Sequence, residues 1–165
     1  MKDLEPLPLS DKISGAPHPS EATKIFGQDS AQQQFLNAFD RGRLHHAWLL
    51  SGPRGVGKAT LVWKIAKFLL TTPNAPAQDG LFGAMSQHVS NLETPPDHPA
   101  LPRILAGSEP ALCVLRRSYD EKRKRFKQNI TVDDVRSLKS FFGLSAADGG
   151  ARVVIIDAAD DMTGS

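Results

Sequence analysis

The chain has 165 residues, of which 40% are hydrophobic and 23% are charged, and its formal net charge is +2. This length fits one domain with a buried core, and the composition excludes a chain that is disordered throughout. The small positive charge does not by itself indicate nucleic-acid binding, which requires lysine and arginine to cluster on the surface.

The cysteine and apolar content narrow the class of protein further. Cys113 is the only cysteine, which excludes an internal disulfide and a zinc site built from several cysteines. The N-terminal residues lack the apolar run of a signal peptide, and no segment approaches the roughly 20 apolar residues of a membrane span. We therefore expect a cytoplasmic protein with no zinc and no membrane contact.

The first quarter of the chain predicts an irregular arm followed by a helix. Residues 1–22 contain four prolines and have no amphipathic period, which is typical of irregular structure. Residues 29–40 begin with N-cap candidates, and a helix is predicted there that ends before Gly42. Its apolar face consists of Phe35, Leu36 and Phe39.

A glycine-rich segment, GPRGVGK at residues 52–58, lies between a predicted strand at 47–50 and a predicted helix. The face of that helix carries Leu61, Ile65, Phe68 and Leu69. The segment has the form of a phosphate-binding loop, in which backbone N–H groups cradle phosphate and the lysine reaches its oxygens. The predicted binding residues are Gly52, Pro53, Arg54, Gly55, Val56, Gly57 and Lys58. The alternative is a glycine-rich turn that only lets helix and strand pack closely.

Two alanines occupy positions where nucleotide chemistry needs polar groups. Ala59 stands where a Ser or Thr hydroxyl holds Mg²⁺ in the usual loop. Asp157 ends an apolar run and fits the carboxylate that helps to hold the metal, although it is equally typical of a strand end. Ala158 then replaces the glutamate that prepares water in many hydrolysing relatives. We expect ATP binding to be weak or absent, with no catalytic residue and no metal ligand in this chain.

The remaining segments alternate between breakers, strands and helices. Residues 71–110 contain seven prolines, which predicts an insertion or a mobile loop with room for a short helix. Apolar runs predict strands at 111–115 and 152–157, and a helix is predicted from Thr131 to a stop at Gly143. Such alternation predicts an α/β protein with a mostly parallel sheet flanked by helices.

A basic stretch and two tryptophans leave alternatives open. Residues 116–127 contain seven Lys and Arg residues, with Tyr119 and Phe126 between them. We favour a solvated hairpin or loop, and contact with a phosphate backbone is the other interpretation. Trp48 and Trp63 are predicted to anchor the core.

Four segments carry a combined pattern: IFGQ at 25–28, HHAWLLSGPRGVGKAT at 45–60, ITVDDVR at 130–136 and VVIIDAADDM at 153–162. In these segments the sequence resembles the delta-prime subunits of the bacterial DNA polymerase III clamp loader, which are AAA+ P-loop proteins. The resemblance runs from about residue 23 to residue 162.

The resemblance implies a domain organisation and a role. Residues 23–165 would form a partial AAA+ P-loop domain after the arm at 1–22, with a Pro-rich insertion at about 71–110 and a sheet incomplete at its C-terminal end. The implied role is that of a largely structural, non-hydrolysing ring member in the DNA polymerase III holoenzyme. Residues 25–27 would border an adenine pocket.

The same resemblance implies particular partners, and one rival function remains. The implied partners are the other AAA+ subunits of the clamp loader and, through the assembled complex, the sliding clamp and primer-template DNA. The rival is an active P-loop ATPase or kinase in which Thr60 replaces the missing metal ligand. One residue along a helix rotates a side chain by about 100°, which disfavours that rival.

Overall fold

The computed structural model describes residues 7–72, 89–143 and 150–162. Within these ranges the helices are α1 (Asp29–Asp40), α2 (Lys58–Thr71), α3 (Ala100–Leu105), α4 (Val132–Arg136) and α5 (Leu138–Gly143). The strands are β1 (Leu112–Arg116), β2 (Tyr119–Asp120), β3 (Arg125–Phe126) and β4 (Val153–Asp157). No helix in the described ranges is long and apolar enough to cross a membrane.

Two strands that are far apart in sequence form a parallel pair. β1 and β4 align from Leu112 opposite Val153 to Arg116 opposite Asp157. Both strands are rich in β-branched or other apolar side chains, which favour a buried parallel arrangement. The predictions of these two strands and of a parallel α/β arrangement are therefore confirmed for the described part of the chain.

Helix α2 forms the centre of the fold because it is buried on two sides. Trp63 and Ala66 belong to one cluster, in which they pack with Ile155 of β4. Leu61 and Phe68 belong to a second cluster, together with apolar side chains of α1. A helix that is apolar on several faces is typical of a buried position. The predicted helix and the core position of Trp63 are confirmed.

Helix α1 packs against the second face of α2 through aromatic contacts. Phe35 meets Phe68 edge to face at 6.3 Å between ring centroids, and Phe39 meets Phe68 at 4.9 Å. Helix α1 has the predicted bounds, but Gln28 occupies its N-cap position and makes no side-chain cap. Helix α1 is therefore stabilised mainly by its apolar contacts with α2.

The second half of the predicted insertion belongs to the core. Leu92 is buried in the cluster around Phe68, and Ala100 and Ile104 of α3 are buried against α2. A short helix was expected in this insertion, and α3 confirms it. Residues 89–110 therefore form part of the packed structure through Leu92, Ala100 and Ile104, and the alternative of a mobile loop does not describe this half of the insertion. Residues 73–88 lie outside the described residues.

The predicted strand at residues 47–50 is wrong. The segment forms no strand ladder, Leu49 is 84% exposed and Trp48 is 40% exposed. A strand needs a hydrogen-bonding neighbour in a sheet. Among the described residues β4 pairs only with β1, so it does not provide that neighbour for residues 47–50. The expected core position of Trp48 is also wrong because the residue is exposed, although its ring centroid lies 5.4 Å from that of Phe35.

The predicted helix from Thr131 is present but divided. Thr131 and Asp134 form a reciprocal capping box, in which the Asp134 amide donates to the Thr131 hydroxyl at 3.3 Å. Helix α4 ends at Arg136, and α5 begins two residues later, after Ser137. The Ser137 hydroxyl donates to the Asp134 carbonyl at 2.6 Å, and such back-bonding within a helix competes with its regular ladder.

The described part of the N-terminal arm is irregular but tightly held. It contains one 3₁₀ turn, Pro19–Glu21. The side chain of Asp11 is only 1% exposed and receives two hydrogen bonds from Arg116, at 2.7 and 2.9 Å. A buried carboxylate is tolerated only when it is paired in this way. The arm is therefore fixed to the end of β1.

Replacing Phe68 by alanine tests the central role of α2. Phe68 is buried and contacts two aromatic rings of α1, so the variant loses apolar burial and leaves a cavity. We expect Phe68→Ala to lower the free energy of unfolding by about 3–5 kcal/mol, measured by chemical denaturation. Phe142→Ala, at a ring that is 58% exposed, is the matched control. Equal losses in both variants would contradict the assignment.

Candidate functional site

The loop that precedes α2 has the backbone geometry of a tight glycine turn. Gly52, Gly55 and Gly57 have φ values of 147°, 84° and 96°, which side-chain-bearing residues rarely adopt. An added Cβ at Gly55 or Gly57 would meet open space, so conformation and not crowding requires these glycines. Residues 52–56 of the loop are exposed, and Gly57 and Lys58 are half-buried.

Lys58 closes this loop by bonding to its backbone. Its Nζ donates to the carbonyl oxygens of Gly52 at 2.8 Å and Pro53 at 2.9 Å. The amide N–H groups in the first turn of a helix have no acceptor within the helix, and they carry partial positive charge. The loop therefore joins a lysine ammonium to the N-terminal end of a 14-residue helix. This is the arrangement that suits an anion.

Gln28 connects the loop to the segment before α1. Its side-chain amide donates to the carbonyl oxygen of Val56 at 2.8 Å. Ile25 packs against the apolar cluster between α1 and α2, whereas Phe26 is 82% exposed. Residues 25–27, which were expected to border an adenine ring, therefore lie beside the loop, and the side chain of Phe26 faces solvent.

The first turn of α2 offers no oxygen ligand at its second position. Ala59 follows Lys58 in the helix, and Thr60 is one residue further along. Successive helical residues point about 100° apart, so Thr60 and Ala59 face different directions. In the ranges that the structure describes, no group of three or more His, Cys, Asp or Glu side chains is arranged to hold a metal ion.

Asp157 ends β4 in an acidic environment. Burial raises the pKa of its carboxyl group above the ordinary value of 3.8, and the nearby charges of Asp11 and Asp161 raise it further. His18 and Arg116 act in the opposite direction. Lys58 is not among the groups that act on Asp157. The two predicted site residues thus lie in different surroundings, one in the loop and one beside the N-terminal arm.

A buried polar cluster surrounds Asp11, and sequence reasoning missed it. The Ser20 amide donates to His18 Nδ1 at 3.1 Å, which leaves the proton of a neutral imidazole on Nε2. Nε2 lies 3.1 Å from Asp11 Oδ2, and the His18 ring packs edge to face on Trp63. Asp11 and Arg116 are 105 residues apart, so no spacing rule connects them.

Comparison with known proteins identifies the class to which this α/β domain belongs. The family model described as "DNA polymerase III, delta subunit" matches residues 27–165. This match covers the glycine loop, both parallel strands and all five helices. The chain therefore belongs to this family of DNA polymerase III subunits.

Individual relatives agree with this family. The chain is 33% identical over 122 residues to the DNA polymerase III subunit delta' of Pseudomonas aeruginosa, an alignment that covers 74% of the chain and 31% of that relative. It is 51% identical over 51 residues to the subunit gamma of Buchnera aphidicola subsp. Schizaphis graminum, covering 31% and 14%. The subunit tau of Escherichia coli is 39% identical over 51 residues, covering 31% and 8%. The chain thus spans less than a third of the length of these relatives.

The raised pKa of Asp157 predicts how stability depends on pH. The pKa of Asp157 is higher in the folded state than in the unfolded state, where it is near 3.8. The protonated carboxyl group therefore contributes to the free energy of unfolding at pH values below 3.8, and this contribution is lost as the pH rises through the folded-state pKa. At neutral pH the fold therefore carries an unfavourable buried carboxylate. We expect Asp157→Asn to raise the free energy of unfolding at neutral pH, and we expect the gain to disappear below pH 3.8.

Chemical denaturation across this pH range measures the effect. Asp97→Asn is the control, because Asp97 is an exposed carboxylate that sits away from the acidic group. A gain of equal size in Asp97→Asn, or a gain for Asp157→Asn that persists in acid, would show that the buried charge is not the cause.

Proposed function

We propose that this chain is part of a DNA polymerase III clamp-loader subunit of the delta-prime type, acting in DNA replication. It would serve mainly as a structural member of an AAA+ ring. The observation that carries the proposal is the pairing of the family match over residues 27–165 with alanine at both Ala59 and Ala158. The loop of an AAA+ protein is retained, while the groups that bind metal and prepare water are replaced.

The residues of the loop fit a phosphate group. The N–H groups at the start of α2 and the Lys58 ammonium are suitable donors to phosphate oxygens. Lys58 now donates to two carbonyl oxygens of its own loop, so a bound phosphate has to compete with them. The cofactor-binding residues in this proposal are Gly52, Pro53, Arg54, Gly55, Val56, Gly57 and Lys58 of the loop, together with Asp157 at the end of β4. Weak binding follows from this competition.

The same residues do not fit Mg²⁺ or hydrolysis. Ala59 supplies no oxygen to a metal, and the pKa of Asp157 is raised by its partial burial and by the nearby charges of Asp11 and Asp161. In this proposal a bound ATP is therefore not hydrolysed by this chain. The rival, an ATPase or kinase that uses Thr60 as the metal ligand, requires the loop to shift by one residue.

The partners follow from the same assignment. As a clamp-loader subunit, the whole protein would assemble with the other AAA+ subunits of the complex. Contact with the sliding clamp and primer-template DNA would come through that complex, in the cytoplasm of the bacterial cell. The relatives named gamma and tau are similar to this chain over 51 residues, which makes subunits of that type the first partners to test.

Nucleotide binding separates the proposal from its rival. We expect a fluorescent ATP analogue to bind weakly and without dependence on Mg²⁺, and Lys58→Ala to remove about 1.5–3 kcal/mol of the residual binding. Ala59→Thr should introduce a dependence on Mg²⁺. Titration by fluorescence anisotropy measures each case, with circular dichroism as the check of folding.

The matched control at the next position is Thr60→Ala. It should leave binding unchanged, because in the proposal Thr60 has no contact with metal. Tight, Mg²⁺-dependent binding by the unaltered chain that is lost in Thr60→Ala would overturn the structural role and support the enzyme.

Assembly is tested separately. We expect the full-length protein that contains this chain to form a stable complex with the gamma- or tau-type subunit of the same organism, seen by size-exclusion chromatography with light scattering. Lys58→Ala should not prevent that complex, because the role is structural. Failure of the unaltered protein to associate would contradict the assignment.

A further inference from the structure

The basic stretch 116–127 divides into an inward and an outward part. Arg116 is held by Asp11, and the Arg117 side chain pairs with Asp161 at 3.0 Å. These two charges are therefore neutralised within the protein. The other five basic residues lie on the hairpin formed by β2 and β3, and they are Lys122, Arg123, Lys124, Arg125 and Lys127.

The hairpin, residues 118–127, concentrates positive charge. Its five basic residues face two acidic ones, Asp120 and Glu121, which gives it a net charge of +3. The whole chain has a net charge of +2, so the remainder is slightly negative. In the part of the chain that the structure describes, Arg123 is the one basic residue of these five with an ion-pair partner, Asp120 at 3.8 Å. The pKa of Asp134 is lowered by its hydrogen bonds with Thr131 and also by the charge of Lys127, so Lys127 lies near a carboxylate as well. A local cluster of exposed cations, three of them without such a neighbour among the described residues, attracts polyanions.

The turn of the hairpin holds these cations in a defined arrangement. Asp120 Oδ1 accepts hydrogen bonds from the amides of Lys122 and Arg123, each at 3.1 Å. Lys124 has a positive φ of 51°, as expected at the tip of a tight turn. The ladder continues past β3 through a bond from the Lys127 amide to the Ser118 carbonyl at 2.9 Å. The acidic side chain thus shapes the turn.

An aromatic ring lies beside the cations. Phe126 meets Tyr119 across the hairpin at 5.3 Å between ring centroids. Phe126 also borders a shallow cavity of about 260 Å³, together with Arg123, Arg125 and Lys127. This volume is below the roughly 300–1,000 Å³ of most small-molecule pockets. Asp120 and Gln128 line the cavity as well, and a cavity of this size does not enclose a complete small ligand.

We propose that the hairpin binds single-stranded nucleic acid, with its cations on successive phosphates and Phe126 in contact with a base. Cations beside an aromatic ring are the combination by which proteins hold single strands without sequence preference. A duplex keeps the faces of its bases stacked, so the ring would contribute nothing there. The inference uses no residue of the glycine loop and does not depend on nucleotide binding or on assembly.

Neutralising two exposed cations tests the electrostatic part. With the full 165-residue chain and a labelled oligothymidylate, we expect Lys122→Gln/Arg125→Gln to weaken binding about tenfold at low salt, measured by fluorescence anisotropy. The slope of log affinity against log salt should become shallower by roughly 1.4, which corresponds to two lost phosphate contacts. Arg41→Gln/Arg43→Gln is the control, with the same change in net charge at exposed residues outside the hairpin.

Removing the ring tests the stacking part. Phe126→Leu should weaken binding about fivefold or more without changing the salt slope, because no charge is lost. Phe142→Leu, at an exposed ring outside the hairpin, should have no effect. Equal losses in the hairpin and control variants would overturn the proposal. So would binding of the matching duplex as tightly as the single strand, or of polyglutamate as tightly as DNA, since the latter would indicate an acidic protein partner.

Discussion

The burial of α2 on two sides is the constraint on which the rest of the structure depends. Side chains on a helix are 100° apart per residue, so Leu61 and Trp63 point in nearly opposite directions. Leu61 faces α1, and Trp63 faces the sheet and α3. Because the helix cannot rotate or slide without uncovering one of these clusters, the position of its first residue, Lys58, is fixed as well.

This fixed helix start explains what the glycine loop retains and what it has lost. The partial positive charge at a helix N-terminus, which attracts anions, comes from backbone N–H groups and does not depend on the side chains there. Groups that hold a metal or prepare water depend on particular side chains, and positions 59 and 158 carry alanine. The backbone arrangement that suits an anion therefore does not depend on those two side chains, and the Lys58 ammonium donates to carbonyl oxygens of the loop.

The sequence predicted those parts of the fold that local patterns determine. Helices α1 and α2 follow from apolar periodicity, and the start at Thr131 follows from its capping box. The strand expected at residues 47–50 was wrong because a strand is defined by a neighbour, which apolar content does not supply. The pairing of Asp11 with Arg116 could not be predicted either, since it joins two chain segments only after β1 and the arm have come together.

The seven basic residues between 116 and 127 show why charge composition alone does not assign a role. Arg116 and Arg117 leave the end of β1 beside the arm and the acidic end of β4, where Arg116 pairs with the buried Asp11 and Arg117 pairs with Asp161. Beyond them the chain turns outward at Asp120, and the following cations meet solvent. A run that is uniform in sequence is thus divided by the fold into two arginines that pair with carboxylates of other segments and five cations that are exposed on the hairpin.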